Sequence, residues 1–251
     1  MSDSEQQPEI ETFPSPDALA AAVAGRLVVR LAAIQATGRT PSIALTGGTV
    51  AVKIHEAVVT ATAGHEDVDW RNVDFWWGDE RYLPEDDAER NAKQAWEAML
   101  SRLDVSPGRV HEMPASDGNH ESLQDAADAY AGTLRSRGGR FDVVMLGVGP
   151  DGHVASLFPG SSQLDVDDRV VVAVTDSPKP PPERISLTFG ALNRADEVWF
   201  VVTGEGKAGA VAQALATGGD AADLHQLPAA GVRGQDATVW FLDEEAASKL
   251  G

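Results

Sequence analysis

The sequence contains no cysteine, no long apolar run and no basic stretch near its start. Without cysteine, a disulfide framework and thiolate chemistry are both excluded. A membrane-spanning helix needs roughly 18 or more consecutive apolar residues, and no such run occurs in the 251 residues. The opening stretch, MSDSEQQPEIE, lacks the basic and apolar regions that are typical of a secretory leader. We therefore expect a cytoplasmic protein.

Positive charge is also scarce. The chain has 20 lysines and arginines against 39 aspartates and glutamates, which gives a formal net charge of −19. Nucleic acids and anionic membranes bind basic surfaces, so neither is expected as a partner. An anionic small molecule would be repelled at long range and would need a local group of cations. For the surface as a whole, the simplest interpretation is that acidic residues keep the protein soluble.

The sequence does contain an alternation of short apolar runs with helical stretches rich in alanine and leucine. This alternation predicts an α/β fold with a doubly wound, mostly parallel sheet and helices on both faces, as in Rossmann-like proteins. We expect residues 1–11 to form a disordered tail and residues 12–251 to form a single domain. Strands are predicted at 42–48, 73–81 (running into a polar loop), 141–149, 170–175, 184–188, 197–204 and 237–243, and helices at 17–36, 49–63, 91–102, 121–137, 206–216 and 244–250.

The segment LGVGPDGHVASLFPG, residues 146–160, contains the GxGxxG spacing of a dinucleotide-binding fingerprint. That fingerprint requires a long helix directly after the glycines, but only HVASLF separates Gly152 from Pro159. The sequence therefore disfavours a nicotinamide or flavin site. Instead, the loop displays His153 at the end of a central strand, where an imidazole can exchange a proton near neutral pH, and Asp151 is a candidate to orient the ring. The alternative is a histidine that only stabilises the loop.

The stretch LTGGT, residues 45–49, has the composition of an anion site. A strand end, two glycines and a hydroxyl at a helix start allow backbone amides and the helix dipole to face a ligand. Gly47, Gly48 and Thr49 are the candidate binding residues. The GK[ST] ending of a P-loop is missing, and the alternative is an ordinary turn capped by a threonine.

The stretch WGDERY, residues 77–82, follows a strand that ends in two tryptophans. The adjacent acids Asp79 and Glu80 could ligate a metal or pair with Arg81, and Arg81 could hold a phosphate. A metal needs several convergent ligands, and no histidine lies nearby in the sequence, so no metal is expected. The alternative is a surface ion-pair cluster, with Asn91 serving only as a helix cap.

Two more cations are predicted near strand ends. Arg184 follows the stiff run SPKPPPE, residues 177–183, and begins a strand, while Lys207 in GEGK lies where a helix begins. Each residue alone is more typical of a protein surface. Together with Arg81, the glycine turn and His153, they indicate a small phosphorylated substrate and a proton-transfer group, because a few fixed cations can dominate inside a cleft.

These same segments resemble the bacterial-type 6-phosphogluconolactonase family. The resemblance implies hydrolysis of 6-phospho-D-glucono-1,5-lactone to 6-phosphogluconate in the oxidative pentose phosphate pathway, with no metal and no organic cofactor. It also implies the fold of glucosamine-6-phosphate deaminase and other sugar-phosphate isomerases. The matching stretches follow the family order over most of the chain: ALTGGT (44–49), WGDERYLP (77–84) with Asn91, LGVGPDGHVASLFPG (146–160), SPKPPPERISLT (177–188), VTGEGKA (202–208) and LPAAGV (227–232).

The resemblance also implies roles for individual residues. His153 matches the proposed catalytic base, and Asp79 and Arg81 match further catalytic positions. The positions that match residues around the substrate, chiefly its phosphate, are Gly47, Gly48, Thr49, Arg81, Arg184 and Lys207.

One difference separates this chain from the related deaminases. They continue the DGH turn into an Asn-Glu-Pro segment, whereas this chain continues into SLFP, residues 156–159, without a carboxylate. A sugar-phosphate isomerase or deaminase that uses Asp79, and a non-catalytic sugar-phosphate sensor, remain as alternatives. We expect a monomer or a weak homo-oligomer whose partner is the sugar-phosphate lactone.

Overall fold

A computed structural model of the protein describes residues 7–63, 67–216 and 223–251. Strand β1 (Glu9–Phe13) comes first and is followed by the 21-residue helix α1 (Pro16–Ala36). The Ser15 side chain accepts a hydrogen bond from the backbone amide of Ala18 and so caps this helix. The remaining strands and helices are β2 (Ser42–Leu45), α2 (Thr49–Thr62), β3 (Asp74–Trp77), β4 (Asp79–Arg81), α3 (Asn91–Ala98), α4 (Leu123–Ser136), β5 (Val143–Leu146), β6 (Val171–Val174), β7 (Arg184–Leu187), α5 (Phe189–Leu192), β8 (Glu197–Val202), α6 (Ala208–Ala216) and β9 (Ala237–Asp243).

Six of the strands form one sheet in the order β1-β9-β8-β5-β2-β3, and every neighbouring pair is parallel. Successive residues of these strands pack into two different hydrophobic clusters, as the two-residue period of a strand requires. One cluster joins the sheet to α1, α2 and α3, and the other joins it to α4, α6 and the second sheet. The predicted doubly wound α/β fold with a mostly parallel sheet is confirmed.

A second sheet of three antiparallel strands, β4-β7-β6, was not predicted as a separate unit. The chain leaves the parallel sheet at Gly78, whose amide donates to the Leu45 carbonyl at 3.0 Å and whose carbonyl accepts from Leu187 at 2.9 Å. Residues 79–81 do form a strand, as predicted, but the single strand expected over 73–81 is divided at Gly78 into β3 and β4, which belong to different sheets. The apolar runs at 170–175 and 184–188 do form strands, but in this antiparallel sheet.

The expected disordered tail, residues 1–11, is wrong for residues 9–11. They belong to β1, which pairs with β9 along its whole length, and Arg26 forms ion pairs with the Glu9 and Glu11 side chains at 3.1 and 2.6 Å. The acidic composition thus suits an edge strand beside an arginine. Residues 1–6 of that tail lie outside the described part of the chain.

The stretch 244–250 forms turns, so the helix predicted there is wrong. The Asp243 carboxylate accepts hydrogen bonds from the amides of Ala246 and Gly204, so it joins this turn to the loop after β8. In the part of the chain that the structure describes, no helix is both long and apolar enough to cross a membrane.

Candidate active site

The candidate site lies where the connections from the two central strands diverge. From β2 the chain moves to β3 on one side of the sheet, and from β5 it moves to β8 on the other side. In open α/β sheets the crevice at such a point, beyond the carboxyl ends of the strands, is the usual ligand site. The loops after β2 and β5 meet here, because the Gly147 amide donates to the Thr46 hydroxyl at 3.4 Å.

The loop after β2 presents an open helix start to this crevice. Gly48 has a φ of +94° and precedes α2, and no side chain caps the helix, which begins at Thr49. The first amides of α2 therefore have no intrahelical acceptor, an arrangement that can bind an anion. Gly47 is required for a steric reason, since a Cβ at this position would lie 1.8 Å from the Asn91 Oδ1 atom.

The loop after β5 displays His153 as the sequence predicts. The imidazole Nδ1 lies 2.5 Å from the Asp151 Oδ1 atom, and the ring packs at 4.5 Å from the Phe158 ring centroid. No α-helix follows Gly152, since residues 154 and 157 form a β-bridge instead. The helix that a dinucleotide fingerprint needs is thus missing from this loop, as expected.

Burial and charge set the protonation of this pair. Burial lowers the pKa of His153 below its ordinary value, and Lys179 adds to this effect, while Asp151 and Asp79 oppose it. Burial raises the pKa of Asp151, but its hydrogen bond and charge interaction with His153, together with Lys179, hold that pKa below its usual range. An ionised Asp151 accepts the proton of Nδ1, which leaves Nε2 as the basic nitrogen of a neutral imidazole.

Asp79 lies at the start of β4 and is buried, with 7% of its surface exposed. The Ser156 hydroxyl donates to the Asp79 carboxylate at 2.6 Å, and the Asn91 side-chain amide donates to the Asp79 backbone carbonyl at 2.9 Å. Ser156 thus lies in the segment after the DGH turn, where the related deaminases have a carboxylate. It connects Asp79 to the loop of His153.

The two arginines predicted at the site are brought together by strand pairing. Arg81 in β4 lies opposite Arg184 in β7, and the Arg81 guanidinium donates to the Glu89 carbonyl. Burial lowers the pKa of Arg184, with Asp79 opposing this effect and Arg81 adding to it. Two adjacent guanidinium groups beside one buried carboxylate are an arrangement that favours an additional anion.

Lys207 reaches the same region from the loop after β8. Gly204 has a φ of +94°, and its amide donates to both oxygens of Asp243 at 3.0 and 3.1 Å, which fixes the loop. Burial lowers the pKa of Lys207, the neighbouring Lys179 lowers it further and Asp243 opposes both. Lys207 is therefore a partly buried cation with a second cation next to it.

Sequence reasoning missed two residues that complete the site. Lys179 was treated only as part of the stiff segment before Arg184, although its ammonium nitrogen lies 3.2 Å from His153 Nδ1. Glu80 was treated as one acid of a cluster, yet its carboxylate accepts the backbone amides of Arg81, Asn91 and Ala92, each at 2.8 Å. A cation so close to the DGH turn cannot be deduced from spacing, because segments far apart in the chain make the contact.

The predicted site residues thus converge on one crevice. The hydrogen bonds above join the two central loops, Asp79 and Asn91, and the pairing of β4 with β7 adds the arginines. The geometry is suited to a small anionic molecule placed beside a neutral imidazole. No group of three or more histidine, cysteine or acidic side chains in the described ranges is arranged to hold a metal ion.

The comparison with protein families agrees with this geometry. The chain belongs to the family of glucosamine-6-phosphate isomerases and 6-phosphogluconolactonases, whose pattern matches residues 14–240. The resemblance noted from the sequence is therefore confirmed.

Individual relatives cover nearly the whole chain. The chain is 44% identical to a 6-phosphogluconolactonase of Streptomyces coelicolor over 255 residues, covering 97% of this chain and 95% of the relative. It is 46% identical to a 6-phosphogluconolactonase of Mycobacterium tuberculosis, covering 96% and 98%. The structure of the Trypanosoma brucei 6-phosphogluconolactonase matches with a TM-score of 0.82 at 28% identity, covering 98% and 99%.

Proposed function

We propose that this protein is an enzyme that hydrolyses 6-phospho-D-glucono-1,5-lactone to 6-phospho-D-gluconate in the pentose phosphate pathway. The observation that carries this proposal is the placement of His153 in the loop after β5, where its Nδ1 atom lies 2.5 Å from Asp151 Oδ1 and 3.2 Å from the Lys179 ammonium nitrogen. The sequence identity to 6-phosphogluconolactonases, which extends over nearly the whole chain, supports the same function.

In the proposed reaction, the substrate phosphate binds the amides of the Gly47–Thr49 loop together with Arg184 and Lys207. Nε2 of His153 takes a proton from water as the water oxygen bonds to the lactone carbonyl carbon. The amides of the Gly147–Gly152 loop, or Arg81, stabilise the oxyanion. The imidazolium then gives its proton to the ring oxygen as the carbon–oxygen bond breaks. Binding the remote phosphate positions the carbonyl over the base.

The hydrogen bonds of Asp79 favour hydrolysis over proton transfer at a sugar carbon. Its carboxylate is engaged by Ser156 at 2.6 Å, and the segment after His153 carries no second carboxylate. An isomerase or deaminase would use Asp79 as a base on carbon and would turn over an amino- or keto-sugar phosphate. The cytoplasmic location and the monomeric or weakly oligomeric state stay predictions of the sequence.

The test is proton release in a stopped-flow pH-indicator assay with freshly generated lactone, with and without EDTA. We expect strong acceleration over the spontaneous rate, unchanged by EDTA, and no turnover of glucosamine 6-phosphate. His153→Ala should lower kcat by about 10²–10⁴-fold, the usual contribution of one general base, and should retain product binding.

His225→Ala is the matched control, because His225 also pairs with an aspartate, Asp165 at 2.9 Å, but at an exposed position. A His153→Ala variant with the kcat of the wild-type protein would exclude the histidine as the base. Absence of acceleration by the wild-type protein, with sugar-phosphate binding intact, would instead favour the isomerase or the sensor.

A further inference from the structure

Lys179 lies beside the candidate base although it belongs to a distant part of the chain. Its ammonium nitrogen is 3.2 Å from His153 Nδ1, 3.5 Å from Asp151 Oδ1 and 5.9 Å from the Phe158 ring centroid. The segment is folded back towards the site because the Arg184 guanidinium donates to three consecutive backbone carbonyls, those of residues 179, 180 and 181, at 3.0 to 3.1 Å. A fixed segment thus holds the ammonium group at this edge of the ring.

The hydrogen bonds available to Nδ1 of His153 show that Lys179 acts on the ring through its charge. Asp151 is the nearer partner of Nδ1, at 2.5 Å, and an ionised carboxylate can only accept, so Nδ1 carries the proton. An ammonium group can only donate, so Lys179 has no hydrogen bond to offer a protonated Nδ1. The remaining interaction between Lys179 and the ring is repulsion of any positive charge that the imidazole gains.

We propose that Lys179 is a positioning residue for the reaction, whose ammonium group at the Nδ1 edge keeps His153 in its neutral, proton-accepting form. The charged groups that act on the ring come from three elements: Asp151 from its own loop, Asp79 from β4 and Lys179 from the segment before β7. The two carboxylates favour the imidazolium, and Lys179 is the cation that opposes them. Burial of the His153 side chain, which is 17% exposed, also disfavours the imidazolium and so acts in the same direction as Lys179.

This role has meaning only within the proposed hydrolysis, because an imidazolium cannot take a proton from water. A neutral base between two carboxylates needs a compensating charge if the enzyme is to work at and below neutral pH. Lys179 supplies that charge while remaining 41% exposed, so its replacement should not disturb the fold. The side-chain charge and the packing of its alkyl part can therefore be separated by mutation.

The experiment is an NMR titration of the His153 imidazole in the free protein, which requires no turnover. Lys179→Met keeps a long apolar side chain against Phe158 and removes the charge, whereas Lys179→Arg keeps the charge. Lys53→Met is the control, because Lys53 is an exposed lysine that pairs with Asp17 on another part of the surface. We expect the His153 pKa to rise in Lys179→Met and to stay near the wild-type value in the other two variants.

The same variants should differ in their kinetics. In Lys179→Met the acid limb of kcat/KM should move to higher pH, so that activity is lost mainly on the acid side of the profile. A purely structural role would lower activity equally at all pH values. The proposal is overturned if Lys179→Met leaves the His153 pKa unchanged, or if Lys179→Arg raises it as much as Lys179→Met does. Failure of the hydrolysis proposal itself would appear separately, as an inactive wild-type protein.

Discussion

At the scale of single residues, Gly149 limits where the candidate base can lie. A Cβ added there would be 2.0 Å from His153 Nδ1, 2.1 Å from His153 Cε1 and 2.4 Å from Asp151 Oδ1. Gly149 has no positive φ, so its role is to leave room for the imidazole and not to relieve the backbone. The close approach of the His–Asp pair to the main chain therefore depends on a missing methyl group.

We predict that Gly149→Ala displaces the His153 ring and impairs catalysis while the fold persists. A misplacement of about 1 Å can cost on the order of 10²-fold in rate, so kcat/KM should fall by at least about tenfold. Gly132→Ala, at an exposed position in α4 with open space around the new Cβ, is the control and should retain full activity. Equal activity of the two variants, measured by the lactone assay, would show that the ring does not need this position.

The composition of the site could be predicted at this scale, but its contacts could not. His153, Asp151, Asp79 and the cations stand out because glycine turns and charged residues follow apolar runs. The placement of Lys179 depends on three backbone carbonyls that bind Arg184, and no local pattern in the sequence encodes that fold-back. The roles of the site residues themselves stay predictions until variants are measured.

At the scale of elements, α3 is anchored to the site by a buried carboxylate. Glu80 in β4 is 1% exposed and accepts the amides of Asn91 and Ala92 at the start of α3. Arg90, also 1% exposed, lies 3.9 Å from the same carboxylate. Asn91 in turn donates to the Asp79 carbonyl, and its side chain lies where a Cβ at Gly47 would be. By holding Asn91, Glu80 therefore connects the second sheet and α3 to the loop after β2.

Glu80 should make stability depend on pH. Burial raises its pKa to about 7, despite the opposing effect of Arg90 and of three backbone amides. In the unfolded chain a glutamate titrates near its ordinary value of 4.5, so between these two values the folded protein binds more protons than the unfolded chain. The contribution of Glu80 to the free energy of unfolding therefore falls as pH rises through this window.

We predict that the stability difference between the wild-type protein and Glu80→Gln shrinks as pH rises from about 4.5 to about 7, because the variant lacks this ionisation. Urea unfolding midpoints at several pH values measure the difference. Glu97→Gln, at an exposed position in α3 with 66% of its side chain accessible, should show no such trend. A difference that is constant across the window would mean that Glu80 ionises normally in the fold.

The elements themselves were largely predictable, because apolar runs bounded by glycines define the strands of the parallel sheet. The errors concern two short strands that carry charged residues: β1 with its glutamates lies in the expected disordered tail, and β4 with the sequence DER pairs in a second sheet instead of continuing β3. Periodicity cannot identify such strands, since their partners are far apart in sequence and their charges are satisfied by tertiary contacts.

At the scale of the whole molecule, the charge distribution contrasts with the site. The chain carries a formal net charge of −19, whereas the crevice brings together Arg81, Arg184, Lys179 and Lys207. Excess charge of one sign destabilises a compact fold through self-repulsion. The four cations in the crevice lie together, so they do little to offset repulsion among carboxylates elsewhere on the surface. Folding therefore brings many carboxylates closer together than they are in the unfolded chain.

We predict that added NaCl raises the thermal unfolding midpoint of this protein at pH 8. Raising the ionic strength from about 0.01 to about 0.15 M shortens the screening length from about 30 to about 8 Å, which weakens long-range repulsion more than it weakens close ion pairs. The control is the same series near pH 5, close to the sequence isoelectric point of about 4.5, where little net charge remains and the midpoint should change much less. If the midpoint rose equally with salt at both pH values, repulsion among the surface carboxylates would not be what salt relieves, and a general salting-out effect on apolar surface would explain the rise instead.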